Sequence, residues 1–197
     1  RAAKADEVAI FASASEGFSR ANLNCSIEES LERFLPIAAA AKADGMKVRG
    51  YVSMVTDCPF DGPIAPEAVA RVALALRRMG CYEISLGDTI GKGTPETIGR
   101  MLERVLGDVP AAELAGHYHD TGGRALENIE ASLALGLRVF DASVGGLGGC
   151  PYAPGAKGNV ATEAVDARLR ELGCSTRLDA TVVAEAAAMA RKMRSGG

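Results

Sequence analysis

Short runs rich in β-branched and aromatic residues alternate with longer segments of helical periodicity along this chain. Five strands are predicted, at Glu7–Ala12, Lys47–Val55, Tyr82–Asp88, Glu113–His119 and Arg138–Val144. Each run is too short for a globular helix and is followed by turn-forming residues. The runs alternate only weakly between polar and apolar residues, which is expected when both faces of a parallel sheet are buried. This alternation of strand and helix predicts an α/β fold.

The segments between the strands carry helix signals. Ser26 and Glu29 form a capping box, and Leu31, Phe34, Leu35 and Ala38 follow at helical spacing before Gly45. Pro36 lies inside this helix and predicts a kink, because proline removes one backbone donor. Further helices are predicted at about Pro66–Met79, Pro95–Leu106, Gly123–Leu135, Ala161–Leu172 and Ala180–Met193.

Five strand–helix units fit two architectures. One is an open, doubly wound sheet of five strands, and the other is most of a (β/α)₈ TIM barrel, which usually needs about 250 residues. The number of strands does not choose between them. Both place chemistry at the carboxyl ends of the strands, so candidate residues are sought there.

Composition narrows the functional classes. A length of 197 residues suits one domain, and the net charge of −3 argues against nucleic acid as a partner. No apolar stretch approaches the ~18 residues of a membrane span, and no signal or transit sequence is recognisable. The five cysteines include no C-x-x-C pair, which favours a reducing, intracellular compartment. Four of them are predicted to be structural: Cys25, Cys58, Cys81 and Cys174.

The two histidines of the chain, His117 and His119, both fall at the end of the fourth predicted strand. Residues at i and i+2 of a strand point to the same side, so both imidazoles address one spot. Two converging nitrogens suit a divalent metal, with Asp120 as a further ligand or a supporting partner. The alternative is one core histidine and one surface histidine.

A glycine-rich segment, 143–159, follows the last predicted strand and lets the backbone approach a ligand closely. Its reactive side chain is Cys150, which can exchange a proton or attack as a thiolate, or else is a buried inert thiol. Asn159 offers an amide oxygen to a metal. Equally, Asn159 can cap the helix that begins near Ala161.

Two carboxylates belong to the third predicted strand. Asp88 lies at its carboxyl end and Glu83 lies inside it. Carboxylates that point inward there can orient a metal ligand or hold an ion pair. The alternative for Asp88 is a turn residue.

These segments together resemble the 3-hydroxy-3-methylglutaryl-CoA lyase family, within the metal-dependent barrel superfamily that includes isopropylmalate and homocitrate synthases. The resemblance is carried by NLNCSIEES, VRGYVSM, GCYEISLGDTIGKGTP, HYHDTGGRALENI and SVGGLGGCPYAPGAKGNVATE. The paired histidines are typical of the whole superfamily. The Gly149–Tyr152 segment, Gly-Cys-Pro-Tyr, is typical of the lyases.

The resemblance implies roles for particular residues. His117, His119 and Asn159 match the family's metal ligands, Cys150 matches its catalytic cysteine, and Asp88 matches an aspartate tied to activity, with His117 a further candidate proton relay. The family's first strand carries an Arg-Asp pair that this chain lacks. The resemblance therefore implies one catalytic domain over residues 1–197, of the pyruvate carboxyltransferase-like barrel type, that covers the last five βα units of a (β/α)₈ barrel, with three units missing at the front.

The implied reaction is cleavage of 3-hydroxy-3-methylglutaryl-CoA to acetoacetate and acetyl-CoA with Mg²⁺ or Mn²⁺, as in leucine degradation and ketone body formation. The alternatives are a synthase of the same superfamily that condenses an acyl-CoA, or a non-catalytic metal-binding fragment. An acyl-CoA substrate, a homodimer or other homo-oligomer, no nucleic acid or membrane partner, and a bacterial cytoplasmic or mitochondrial matrix location are expected.

Overall fold

The computed structural model describes residues 4–149 and 158–195. Its centre is a sheet of five parallel strands, every one of which pairs with its neighbour in chain order. The strands are β1 Glu7–Ser13, β2 Lys47–Ser53, β5 Glu83–Asp88, β6 Leu114–Tyr118 and β7 Val139–Asp141. A small antiparallel hairpin, β3 Asp57–Cys58 with β4 Gly62–Pro63, follows β2.

The strand order decides between the two predicted architectures. A doubly wound sheet reverses direction, so that its first strand lies inside the sheet. Here the spatial order β1-β2-β5-β6-β7 is the chain order, with β1 at one edge. Successive parallel crossovers of one hand then place the helices on one face, as in a segment of a barrel.

Helices connect the strands where the sequence predicts them. They are α1 Glu16–Leu23, α2 Ile27–Ala43, α3 Pro66–Met79, α4 Pro95–Leu106, α5 Ala125–Ala134, α6 Thr162–Glu171 and α7 Ala180–Ser195. The capping box of Ser26 and Glu29 is present, and α2 continues through Pro36 as one helix. Leu35 does not belong to the buried stripe of α2, because it is 53% exposed.

The two faces of the sheet differ by residue parity. The strand registers align even-numbered residues with even-numbered ones, and these pack under the helices in the main apolar core. Val52, Ile84, Leu86 and Leu114 are fully buried there. Odd-numbered residues take the opposite face, which carries Arg49, Glu83 and Asp141. We call these the helix face and the site face.

Some elements differ from the prediction. The helix α1 is additional, with Ser15 as its side-chain cap, and β7 ends at Asp141 because the chain then turns into a short 3₁₀ segment at Val144–Gly146. Across residues 4–149 and 158–195, no helix has both the length and the apolar character that crossing a bilayer requires.

Candidate functional site

The paired histidines converge at the carboxyl end of β6. The ring centroids of His117 and His119 lie 5.5 Å apart, and both rings line one cavity of about 180 Å³. The intervening Tyr118 points to the helix face, where its hydroxyl lies 2.7 Å from the Ser132 hydroxyl. The predicted convergence of the two imidazoles is therefore confirmed. The cavity is also lined by Phe11, Tyr51, Val52, Ser53, Gly87, Thr89 and Gly149.

His119 is held as a neutral base. It is 7% exposed, and its Nδ1 is buried without a hydrogen-bond partner among the described residues. Burial, with a smaller contribution from the neighbouring His117, lowers the pKa of His119 to about 4. A buried neutral imidazole with an unpartnered nitrogen has the state that metal ligation requires.

Asn159 lies beside His119. The two residues form an isolated antiparallel β-bridge, and the Asn159 Nδ2 donates to the Leu147 carbonyl at 2.9 Å. Ala161 occupies the cap position of α6 with no side-chain cap, so Asn159 is not the predicted helix cap. Gly148 has φ +90°, and a Cβ there would lie 2.7 Å from the Asn159 Nδ2. Glycine at 148 thus lets the segment close on Asn159.

Asp88 does not line the cavity with the histidines. Its even number places it on the helix face, where its carboxylate accepts from the Thr56 hydroxyl at 3.0 Å and from the Gly93 amide at 2.8 Å. Burial raises the pKa of Asp88 above its usual range. These contacts fix the connection between β5 and α4, as expected of a turn residue, and the predicted role of Asp88 in activity stays a prediction.

Arg49 and Asp141, which the sequence analysis did not single out, lie on the same face of the sheet as His117. Arg49 Nε donates to Glu83 at 2.7 Å, which confirms an ion pair for Glu83, and Arg49 also binds Asp141 through two nitrogens. Asp141 Oδ2 lies 3.1 Å from the His117 Nδ1. The sequence could have indicated these residues. They are charged, lie inside predicted strands and have odd numbers like His117, so they share its face of the sheet.

The other candidates have simpler surroundings. Asp120 Oδ1 accepts from the Ala125 amide at the start of α5. The Cys58 thiol is buried and lies 2.9 Å from the Ser15 hydroxyl, whereas Cys174 is exposed and so is not the predicted packing residue. The predicted catalytic residue Cys150 lies outside the described residues.

The donor set fits part of a metal site. His117, His119 and Asn159 supply imidazole nitrogens and an amide, which are ordinary ligands for divalent transition metals. No cluster of three or more His, Cys, Asp or Glu side chains suited to a metal occurs in the described parts, 4–149 and 158–195. A carboxylate ligand, which Mg²⁺ prefers, is absent from this group.

The fold and this site define a parallel α/β protein with an imidazole-lined cavity at the carboxyl ends of its strands. The family model described as HMGL-like matches residues 1–190. The chain therefore belongs to the HMGL-like family, whose solved members provide its structural neighbours. The HMG-CoA lyase from Brucella melitensis is 60% identical, with a TM-score of 0.97 over 98% of this chain and 69% of that one.

Curated relatives agree with this assignment. The hydroxymethylglutaryl-CoA lyase of Pseudomonas mevalonii is 58% identical over 91% of this chain and 60% of its own length. The cytoplasmic 3-hydroxy-3-methylglutaryl-CoA lyase of Danio rerio is 56% identical over 94% of this chain and 55% of its own length. The chain thus spans little more than half the length of these curated relatives.

Proposed function

We propose that this chain forms the carboxyl-terminal five βα units of a TIM-barrel lyase that cleaves 3-hydroxy-3-methylglutaryl-CoA to acetoacetate and acetyl-CoA. The observation that carries the proposal is the convergence of His117 and His119 beside Asn159, in a chain 58% identical to such a lyase. A related HMG-CoA lyase from Acinetobacter baumannii, 33% identical with a TM-score of 0.88, is a complex with coenzyme A and 3-methylmalate. That ligand pair is consistent with an acyl-CoA substrate here.

Completion of the barrel accounts for the two ends of the sheet. The edge strands β1 and β7 each carry a large apolar side chain on the site face, Phe11 at 50% and Val139 at 39% exposure. Three further βα units between these edges would cover both side chains and pair both strands. The same units would supply the missing carboxylate ligand.

The site residues divide the chemistry between them. We assign His117, His119 and Asn159 to a divalent cation, Mg²⁺ or Mn²⁺, which when bound polarises the substrate oxygens and eases loss of the hydroxyl proton. As that proton passes to an acceptor, His117 or solvent water, the C2–C3 bond breaks, C3 becomes the ketone carbon of acetoacetate, and the electron pair on C2 forms the enolate of acetyl-CoA. The enolate then takes a proton, for which Cys150 is the proposed donor.

The geometry bears on the roles of two residues. A metal-bound nitrogen is a poor base, so we assign His117 first to metal binding, and its role as a proton relay stays a prediction. Asp88 holds the β5–α4 connection through Thr56 and Gly93, so we assign it to positioning and not to contact with substrate. Homo-oligomer formation and a cytoplasmic or mitochondrial matrix location stay predictions.

A lyase assay tests the function. We expect no acetoacetate from the 197-residue chain with Mg²⁺ or Mn²⁺, and turnover once the chain is joined to the front three βα units of the Pseudomonas mevalonii relative. In that joined protein, Cys150→Ser should lower kcat about 10²–10⁴-fold, because a hydroxyl is a far weaker acid than a thiol. Cys174→Ser is the matched control, since Cys174 is exposed, and should retain kcat.

Three results would contradict parts of this account. Acetoacetate from the 197-residue chain alone would show that the front units are dispensable. An unchanged kcat in Cys150→Ser would remove the cysteine from the mechanism. Condensation of acetyl-CoA with an oxo acid, without cleavage of 3-hydroxy-3-methylglutaryl-CoA, would make the protein a synthase.

A further inference from the structure

A continuous chain of charged groups runs across the site face and ends on one histidine. Glu83 Oε1 accepts from Arg49 Nε at 2.7 Å, and Arg49 Nη2 donates to Asp141 Oδ1 at 2.8 Å. Asp141 Oδ2 then lies 3.1 Å from the His117 Nδ1. Arg49 is 8% exposed and Glu83 is 9% exposed, so solvent does not substitute for these contacts.

Asp141 is held as an ionised acceptor. Besides Arg49, the Ser85 hydroxyl donates to Asp141 Oδ2 at 2.7 Å. Two Arg49 nitrogens and the Ser85 hydroxyl all donate to the Asp141 side chain, an arrangement that suits a carboxylate paired with a guanidinium. An ionised carboxylate has no hydrogen to donate, so the hydrogen between Asp141 and His117 belongs to the His117 Nδ1.

The location of that hydrogen determines what the other side of the ring offers. A neutral imidazole with its hydrogen on Nδ1 has a bare lone pair on Nε2. His117 lines the site cavity. A free imidazole has no neighbouring carboxylate that favours one tautomer. In His117, Asp141 selects the tautomer with hydrogen on Nδ1, and Arg49 holds Asp141 in place.

We propose that Asp141 and Arg49 are positioning residues that fix the Nδ1–H tautomer and the ring orientation of His117, so that Nε2 serves as the ligand nitrogen of the site. The inference rests on the proposed function, because the ligand nitrogen of His117 belongs to the metal site proposed there. Ligating histidines in metal sites commonly donate their other N–H to a carboxylate, and loss of that partner typically lowers metal affinity 10–100-fold.

His119 provides an internal contrast, because its Nδ1 has no hydrogen-bond partner among the described residues. Removal of Asp141 should therefore change the tautomer of His117 and leave that of His119 unchanged.

Nuclear magnetic resonance of the ¹⁵N-labelled 197-residue chain tests the inference. The chain has only two histidines, so long-range ¹H–¹⁵N spectra report both tautomers without crowding. We expect the Nδ1–H form at His117 in the unaltered chain, and a change toward the Nε2–H form in Asp141→Ala. Asp141→Asn keeps the shape of the side chain without its charge, and Asp108→Asn removes a carboxylate that pairs with Arg104 away from the site.

Mn²⁺ titration, followed by paramagnetic broadening of the same histidine signals, supplies the second measurement. Both Asp141 variants should need 10–100-fold more Mn²⁺ for equal broadening, and Asp108→Asn should match the unaltered chain. Unchanged His117 tautomer and unchanged Mn²⁺ response in both Asp141 variants would overturn the inference. The same titration of the protein joined to the front three βα units separates the two proposals. A tautomer change in Asp141→Ala, with no Mn²⁺ broadening in the joined protein, would support the positioning role and contradict the metal site of the proposed function.

Discussion

The two faces of the sheet are built from the same strands by opposite rules. On the helix face, Ile84, Leu86 and Leu114 are fully buried in the main apolar core. On the site face, Arg49 and Asp141 are joined by ionic hydrogen bonds that lead to a histidine. One residue step along a strand therefore changes the side chain from one that stabilises the fold to one that shapes the site.

The difference shows where the stability of each face originates. Burial of apolar surface is non-directional and tolerates repacking, so the helix face has many equivalent contributors. A buried ion pair needs its partner in place, because an unpaired charge in the interior is costly. The site face is therefore sensitive to single substitutions in a way that the helix face is not.

The largest effect is expected from Arg49→Ala. This substitution leaves the carboxylates of Glu83 and Asp141 buried without their common cation, so the free energy of unfolding should fall by about 3–5 kcal/mol. Urea denaturation of the 197-residue chain measures it. The matched control is Arg77→Ala, whose pair with Glu113 is solvent-exposed and should contribute much less to stability. Equal losses in the two variants would show that the site face has no special electrostatic sensitivity.

A helix-face substitution of comparable size is Leu86→Ala. Leu86 is fully buried, and the cavity left behind should lower the free energy of unfolding by about 2–5 kcal/mol. The tautomer of His117 should not change, because Leu86 lies on the opposite face. Urea denaturation and the histidine spectrum check both statements, and a tautomer change in Leu86→Ala would indicate that the faces are coupled.

The smallest effect is expected from Tyr118→Phe. The Tyr118 hydroxyl is paired with the Ser132 hydroxyl, which also donates to the Asn128 carbonyl at 2.7 Å. Only one neutral hydrogen bond is lost, so the free energy of unfolding should fall by about 0.5–1.5 kcal/mol. Tyr118 stands between the two histidines in sequence, yet Mn²⁺ broadening of their signals should be unaffected. A weaker Mn²⁺ response would contradict the division of β6 into two faces.

Local signals determined much of the fold. The bounds of α3 and α4 match the prediction at both ends, because Pro66 and Pro95 begin these helices and Gly80, with φ 97°, ends the first of them. The convergence of the two histidines also follows from sequence, since their i, i+2 spacing on a strand is a local geometric property. The short helix α1 also has a local signal, because the Ser15 hydroxyl accepts from the Phe18 amide, and its contact with Asp61, 46 residues away, is the part that the sequence does not reveal.

The sequence by itself determined the α/β class, most helix bounds and the pair of imidazoles, all of which depend on neighbours within a few residues. Only the tertiary structure decided the order of the strands, the hydrogen-bond partners of Asp88 and the contact between Asp141 and His117. Those two residues are 24 positions apart and meet because β6 and β7 pair in parallel register, His117 opposite Asp141. Register between strands is a property of the whole sheet, so no single segment of the chain encodes it.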